Sequence, residues 1–187
     1  MLGGMMFSQW VPRLFEKRDV FQDSDDHNPG AVNVFLLCGP VLGMVCLVLD
    51  LLKGFVPVYL AKGDVDFRSL LFAGVIAAPV VGHAVGVFNK LRGGKCISTA
   101  FGVLLALVPE CWAVFLLAGL YILFSTVLKI SSMTKRSILV FTLFGAVAFG
   151  YLAFTGQLSF ALGCGIVSAV AVFRHWRAYQ QCPVSQE

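Results

Sequence analysis

The sequence is poor in charged residues. Asp, Glu, Lys and Arg make up 13% of its 187 residues, whereas soluble domains contain about 25%. Hydrophobic residues make up 58%, and the mean hydropathy is +0.85. This composition excludes a soluble globular domain. It predicts a single integral membrane domain over residues 1–187, surrounded by a lipid bilayer and without a nucleic-acid partner, and it leaves the oligomeric state undefined.

Paired cysteine motifs and familiar catalytic motifs are also missing. No CxxC pair is present, and most of the cysteines lie in apolar runs, so we expect core residues with neither a metal site nor a disulfide framework. The six cysteines are Cys38, Cys46, Cys96, Cys111, Cys164 and Cys182. There is no Walker loop, HExxH or GxSxG motif, and we expect no cofactor. Residues 1–15 lack the basic start and cleavage site of a secretory signal.

Long apolar runs occupy most of the chain. They predict an all-α, polytopic membrane bundle over residues 34–177, with about six helices in three hairpins. The runs are 34–61, 69–88, 98–109, 111–128, 138–154 and 158–173. Run 98–109 reaches only roughly 18 Å at 1.5 Å per residue, whereas a hydrocarbon core is about 30 Å thick. We therefore predict a half-membrane helix there.

The two ends of the chain are expected to lie outside this bundle. Residues 1–26 are too short and too charged to span a bilayer, so they predict an interfacial or partial helix anchored by Trp10. Residues 178–187 are expected to form a cytoplasmic tail.

The basic residues are distributed unevenly over the predicted loops. Of the 14 Lys and Arg residues, Lys62 and Arg68 fall on one side and Lys53 lies within the membrane. The others share the opposite side: Arg13, Lys17, Arg18, Lys90, Arg92, Lys95, Lys129, Lys135, Arg136, Arg174 and Arg177. By the positive-inside rule this basic side faces the cytoplasm. Because the unusual polar motifs lie on the same side, we expect one shared cytoplasmic pocket.

The stretch before the half-helix has the features of an anion site. Residues 90–95 contain three basic residues and the glycine pair 93–94, and they end at Lys95. Free backbone N–H groups, the positive end of a helix and fixed cations converge there, which favours a phosphate. The Asn-Pro-Gly turn at 28–30 also lets backbone amides approach a ligand closely. The residues alone predict a phosphate-binding site at the cytoplasmic membrane surface.

Three ionisable residues lie inside apolar runs. Asp50 and Lys53 are three residues apart and share a helix face. Ionisable groups are costly at such depth, so we favour a role in the site over a structural ion pair. His83 is either a packing residue or a site residue, and both interpretations stay open.

Several motifs together resemble the PlsY-type glycerol-3-phosphate acyltransferases in order and spacing. The resemblance covers roughly residues 28–177. Its motifs are Asn-Pro-Gly-Ala-Val-Asn at 28–33, Leu-Asp-Leu-Leu-Lys-Gly at 49–54, Gly-His at 82–83, Arg-Gly-Gly-Lys at 92–95, Thr99, Ser132 and Arg-His at 174–175.

The resemblance implies a reaction between two phosphorylated substrates. A fatty acyl group would pass from acyl phosphate to the 1-hydroxyl of glycerol 3-phosphate, giving lysophosphatidic acid for phospholipid biosynthesis at the bacterial inner membrane. The active site of this multi-pass protein would face the cytoplasm. Acyl phosphate is an activated mixed anhydride, so positioning and charge neutralisation would supply the catalysis without a covalent enzyme nucleophile.

The resemblance also assigns residues to roles. One phosphate would be held by Asn28, Gly30 and Asn33, and the other by Gly93, Gly94, Lys95 and Thr99. Lys95 would stabilise charge on the leaving phosphate. The substrates would be oriented by His83, Ser132 and His175, and one of these or the substrate phosphate would accept the hydroxyl proton. Asp50 and Lys53 are further substrate-binding candidates.

Five positions depart from the family pattern. Asp26 replaces a serine, His27 and Cys96 each replace a glycine, Leu36 replaces an arginine, and Ala178 replaces an asparagine. A carboxylate beside an anion site weakens phosphate binding, and the loss of arginine removes a bidentate phosphate ligand. The changes imply either an altered choice of substrate or a loss of activity.

Two alternatives to an active acyltransferase therefore stay open. The first is a catalytically impaired family member that binds lipid phosphates or a partner protein. The second is a small anion transporter, because broken helices whose amino ends face a substrate are also found in transporters. Cys96 is interpreted as a small residue in a glycine position, with a nucleophilic thiol as the alternative.

Overall fold

A computed structural model describes residues 2–181, and all regular structure in that range is helical. Eight α-helices follow one another along the chain: α1 (Phe7–Phe15), α2 (Val20–Asp23), α3 (Ala31–Ala61), α4 (Leu70–Val85), α5 (Ile97–Ala106), α6 (Ala113–Ile122), α7 (Met133–Phe154) and α8 (Leu158–Gln181). Short 3₁₀ turns occupy Leu2–Gly4 and Val87–Asn89, and a π-helical turn at Leu123–Val127 extends α6.

Four of these helices are long and apolar enough to cross a membrane, namely α3, α7, α8 and α4 with its 3₁₀ extension. The apolar helices Ile97–Ala106 and Ala113–Val127 are shorter. The prediction of an all-α membrane bundle is confirmed, and two of its roughly six helices are short. The core between α4, α5, α7 and α8 contains large buried side chains such as Phe72, Phe141 and Phe144.

The helix boundaries differ from the predicted ones mainly at the basic end. Helix α7 begins at Met133, five residues before the predicted start at Ile138, because the Ser132 hydroxyl accepts a hydrogen bond from the Lys135 N–H at 3.4 Å. Helix α8 continues to Gln181, so residues 178–181 of the predicted tail are helical. Residues 182–187, including Cys182, lie outside the described range.

Helix α3 is broken near its start. Gly39 has φ +83°, and Pro40 follows it. Glycine adopts this backbone conformation readily because it has no Cβ, and proline supplies no N–H for a continuous helix. The break separates residues 31–38, beside the Asn-Pro-Gly turn, from the long segment 40–61.

Helix α5 packs closely against the second half of α3. The backbone carbonyl of Thr99 lies against Gly54, and the carbonyl of Leu51 lies against Gly102, at sites where a Cβ would overlap these atoms. At the far end, Lys62 Nζ donates to the Ala106 carbonyl at 3.1 Å. The 10 residues of α5 span about 15 Å. Its amino end therefore lies beside the middle of the long segment of α3, as expected for a half-membrane helix.

The N-terminal segment is a partial helix packed into the bundle. Met6 and Gln9 are buried, and Lys53 Nζ donates to the Met5 carbonyl at 2.6 Å. The ring of Trp10 is half-buried and meets the ring of Phe7 edge to face. The segment contacts α3 through Ser8 and α4 through Gly3 and Gly4.

Candidate active site

A cavity of about 550 Å³ opens where the ends of several helices meet. Its wall is formed by the Asn-Pro-Gly turn and the start of α3, the end of α4, the start of α5, the start of α7 and the end of α8. The predicted site residues on this wall are Asn28, Gly30, Asn33, Asp50, His83, Lys95, Ser132 and His175. Apolar side chains supply much of the remaining wall, including Phe35, Leu36, Leu47, Leu51 and Phe101.

Lys95 joins the two loops that were predicted to hold phosphate. Its backbone N–H donates to Asn28 Oδ1 at 3.1 Å. Its Nζ lies 2.7 Å from Asp26 Oδ2 and donates to Thr134 Oγ1 at 3.4 Å. The shared pocket predicted from charge placement is thus present as a geometric feature. Its link to Asp26, 69 residues away in sequence, was not predicted.

The Asn33 side chain is hydrogen-bonded to the Asn-Pro-Gly turn and to Asp26. Its Nδ2 donates to Asp26 Oδ1 and to the Asn28 carbonyl, both at 2.7 Å. The Gly30 N–H donates to the same Asn28 carbonyl at 2.8 Å. These bonds fix the turn against Lys95, and they use polar groups that the resemblance assigns to phosphate.

Two histidines present unpaired nitrogens at the cavity. His83 and His175 are 3% and 1% exposed. Within residues 2–181, His83 Nδ1 and both ring nitrogens of His175 are buried without a hydrogen-bond partner. The ring of His175 stacks on Phe141 at 6.3 Å between centroids. Unpaired buried polar atoms are rare in proteins, which distinguishes these nitrogens from the other polar atoms of the cavity wall.

The start of α7 adds hydroxyl groups to the same wall. Ser132 lines the cavity while its oxygen caps α7. Thr134 and Ser137 also line it, and the Tyr121 hydroxyl donates to Ser137 Oγ at 3.0 Å. Thr134 and Ser137 were not predicted, because serine and threonine occur in many membrane helices and no spacing distinguishes these two.

Asp50 and Lys53 form an ion pair of 2.6 Å. Asp50 lies on the cavity wall, whereas Lys53 points behind it toward the N-terminal segment. Asp50 Oδ2 also accepts a hydrogen bond from the Ser8 hydroxyl at 2.5 Å. The pair therefore fastens the N-terminal segment to α3, a structural role that the sequence analysis ranked second.

The residues 93, 94 and 99 lie behind the cavity wall. The Gly94 N–H donates to the His83 carbonyl at 3.1 Å, and Arg174 donates to the carbonyls of both Gly93 and Gly94. A Cβ at Gly94 would overlap the His83 ring. Thr99 is fully buried against α3. Glycine is required here for close packing, which holds Lys95 and His83 in place.

Two departures from the family pattern occupy glycine-like backbone conformations. His27 has φ +45° and Cys96 has φ +68°. This left-handed region favours glycine, the residue that the resemblance implies at both positions. The Cys96 thiol is buried and donates to the carbonyls of Val80 and Gly94. These contacts favour its interpretation as a packing residue.

A smaller cavity of about 190 Å³ adjoins the first. Arg92, Arg174 and Arg177 line it together with Ala178. Asp26, Asn28 and Lys95 line both cavities and so lie between them. One cavity is largely apolar and the other is basic, an arrangement suited to a ligand with a hydrocarbon part and an anionic part.

Comparison with known proteins identifies the family of this chain. The family described as glycerol-3-phosphate acyltransferase matches residues 1–182. The chain belongs to the glycerol-3-phosphate acyltransferase family. A family member from Fusobacterium nucleatum subsp. nucleatum is 29% identical over 180 residues, which cover 93% of this chain and 85% of the relative. One from Pseudothermotoga lettingae is 30% identical over 174 residues, covering 92% and 81%.

Solved structures of a glycerol-3-phosphate acyltransferase have the same fold. The chain superimposes on the crystal structure of PlsY (YgiH), an integral membrane glycerol 3-phosphate acyltransferase, in its glycerol 3-phosphate form. The TM-score is 0.81 at 24% identity, with 100% of this chain and 88% of the other covered. The lysophosphatidic acid form gives a TM-score of 0.79. The all-helical architecture is thus that of an integral membrane protein of this family.

Proposed function

We propose that this protein transfers a fatty acyl group from acyl phosphate to the 1-hydroxyl of glycerol 3-phosphate. The supporting observation is the grouping of Lys95 with unpaired nitrogens of His83 and His175 around one cavity. Membership of the glycerol-3-phosphate acyltransferase family supports the same reaction and favours it over the transporter alternative.

The reaction needs few groups from the protein. The hydroxyl oxygen attacks the carbonyl carbon, the bond between that carbon and the phosphate oxygen breaks, and lysophosphatidic acid and inorganic phosphate are formed. Lys95 neutralises charge on the departing phosphate, because a fixed cation in a poorly solvated site stabilises developing negative charge strongly. The hydroxyl proton passes to His83, to His175 or to a substrate phosphate.

The two cavities divide the substrates by their chemistry. The acyl chain lies along the apolar wall of the larger cavity, near Phe35 and Leu36. The phosphate of glycerol 3-phosphate lies toward the smaller cavity, near Arg92 and Arg177. Lys95 lines both cavities and stands where the two substrates meet.

The other predicted site residues position these groups. Asn28, Gly30 and Asn33 fix the turn that faces Lys95, and Ser132 holds the start of α7 on the cavity wall. Gly93, Gly94 and Thr99 act through packing behind Lys95. The ion pair with Lys53 holds Asp50 in place on the cavity wall.

Purified protein in detergent tests the proposal directly. Acyl phosphate and radiolabelled glycerol 3-phosphate should yield radiolabelled lysophosphatidic acid, and Lys95→Ala should lower the rate about 100-fold or more. Lys129→Ala, at an exposed position, is the matched control and should retain the rate. Parallel reactions with acyl-coenzyme A and with acylated acyl carrier protein test which acyl donor the protein uses. Equal rates for wild type and Lys95→Ala would contradict the role of Lys95.

A catalytically impaired protein is the second candidate. It is favoured by the ion pair between Asp26 and Lys95. It is also favoured by Leu36 and Ala178, which stand where the resemblance implies an arginine and an asparagine. The same assay separates the two, because an impaired protein forms no product with any of the three donors.

The site is proposed to face the cytoplasm of a bacterial inner membrane. Lys129, on the site side, and Arg68, at the opposite end of the bundle, are both exposed. In intact spheroplasts a membrane-impermeant maleimide should label Arg68→Cys, and Lys129→Cys should be labelled only after permeabilisation. Wild-type protein gives the background from native cysteines. The reverse pattern would contradict this orientation.

A further inference from the structure

Asp26 occupies the place of an anion within the site. Its Oδ2 lies 2.7 Å from the ammonium nitrogen of Lys95, and its Oδ1 accepts a hydrogen bond of 2.7 Å from the amide of Asn33. Both oxygens of the carboxylate are thus bound by the cation and the amide donor that a phosphate would use. Charge-assisted bonds of this kind are the strong ones among hydrogen bonds.

Asp26 lies where an anionic ligand would contact Lys95. Asp26 lies between the two cavities, together with Lys95 and Asn28. It is the acidic residue on the wall of the smaller cavity, where Arg92, Arg174 and Arg177 supply positive charge. The Lys95 ammonium is therefore already paired with a carboxylate where the two cavities adjoin.

Binding a phosphate beside the Asp26 carboxylate is unfavourable in free energy. Two negative groups within a few ångströms of each other in a partly buried site disfavour one another strongly. The side chains of Lys95 and Asp26 are 14% and 34% exposed, so solvent screens the repulsion only in part. A phosphate that binds Lys95 must displace the carboxylate, and the carboxylate has solvent beside it.

We propose that Asp26 is a specificity-determining residue, an internal anion that competes with substrate phosphate for Lys95 and Asn33. The inference rests on the proposed function in taking Lys95 as a phosphate ligand. It predicts that the ligand must offer more negative charge than a carboxylate, as a phosphate monoester dianion does, because a singly charged anion gains little by the exchange. Competition of this kind lowers the affinity for weakly charged anions, while Lys95 and Asn33 stay available to a more highly charged one.

Direct binding of inorganic phosphate tests the inference without turnover. Isothermal titration of the full-length protein in detergent should give a dissociation constant at least tenfold lower for Asp26→Ser and for Asp26→Asn than for wild type. Asp23→Asn removes the same charge from an exposed position nearby and should stay within twofold of wild type. Asp26→Asn preserves the side-chain size, so it keeps the test usable where the serine variant does not fold.

A second comparison separates competition for Lys95 from a general change in charge. In the Lys95→Met background, Asp26→Asn should raise phosphate affinity by a smaller factor than it does with Lys95 present, because only the amide of Asn33 is still contested. Methyl sulfate, a singly charged anion, should bind Asp26→Ser and show at least tenfold weaker binding to wild type.

Equal or weaker phosphate binding by both Asp26 variants, or no binding by any of the proteins, would overturn the inference. Failure of the acyl-transfer assay would instead overturn the proposed function, since phosphate titration requires no acyl donor.

Discussion

The Nζ of Lys53 lies 2.6 Å from Oδ1 of Asp50 in the interior of the bundle, where the two side chains are 1% and 2% exposed. The remaining polar contacts of the pair come from the N-terminal segment, through the Ser8 hydroxyl and the Met5 carbonyl. An ion pair within α3 thus joins that helix, through hydrogen bonds to Ser8 and Met5, to a segment 42 to 48 residues away in the sequence.

Removing one partner of this pair should destabilise the protein strongly. Lys53→Met leaves the Asp50 carboxylate buried and uncompensated, which costs about 3–5 kcal/mol. Thermal unfolding in detergent should show a clear fall in the midpoint for Lys53→Met and for Asp50→Leu. The double variant should unfold at a higher temperature than either single variant, because it leaves no unpaired charge. Single variants as stable as wild type would show that the pair is dispensable.

The left-handed backbone at Cys96 leads to a second prediction. Cys96→Ala and Cys96→Gly both delete the sulfur atom, so the difference between them reports mainly on the backbone at φ +68°. Alanine normally stabilises a chain relative to glycine by roughly 0.5–1 kcal/mol. Here the order should reverse by about 1 kcal/mol, since left-handed backbone penalises a Cβ. Thermal midpoints of the purified variants measure it, and a more stable alanine variant would contradict it.

A pH-dependent contact is expected at the opposite end of the bundle. Lys62 Nζ lies 2.5 Å from Glu110 Oε2. Burial acts to raise the pKa of Glu110, but the hydrogen bond and charge of Lys62 outweigh it and hold the pKa below the ordinary 4.5. The stabilisation is therefore present above pH 4.5 and is lost as the pH falls through the lower, folded-state value.

Glu110→Gln should remove that dependence. The difference in unfolding midpoint between wild type and Glu110→Gln should be small near pH 7, corresponding to less than about 1 kcal/mol, because the carboxylate is partly exposed. It should shrink below pH 4.5 and vanish as the pH falls through the lower, folded-state pKa of Glu110. A difference that persists unchanged at low pH would show that the glutamate acts by some means other than its charge.

Arg174 provides a test of positioning. Its guanidinium donates to the carbonyls of Gly93 and Gly94, directly before Lys95. Lysine is charged but lacks the planar fork that reaches two carbonyls at once. Arg174→Lys should therefore lower kcat/KM about 10- to 100-fold through displacement of the Lys95 loop. Arg68→Lys, on an exposed loop at the other end, should keep the wild-type value, and similar values for both would refute the positioning role.

The sequence predicted the main helices and the grouping of the polar motifs because each depends on local composition. Apolar runs mark the long helices whatever their partners are, and the excess of lysine and arginine at one end of those runs placed Asn28, Lys95 and His175 on the same side. The short run before Pro109 predicted the half-helix by length alone. These features required no knowledge of which side chains touch.

The contacts that the sequence did not reveal are specific pairings between distant residues. Nothing local distinguishes Asp26 from Asp25 as the partner of Lys95. The Gly93-Gly94 pair was interpreted as a source of free amides, whereas the Gly94 N–H is bonded to His83 and the glycines admit the neighbouring backbone. The break at Gly39 and the insertion of the N-terminal segment also depend on tertiary packing.

The short length of α5 also bears on the lipid product. Because α5 starts beside the middle of the long segment of α3, a phosphate held by Lys95 would react beneath the headgroup plane, with its hydrocarbon still among the lipid tails. Lysophosphatidic acid formed there would enter the inner leaflet by lateral diffusion. The acyl chain of the product would not pass through water, so no carrier protein would be needed to transfer it to the bilayer.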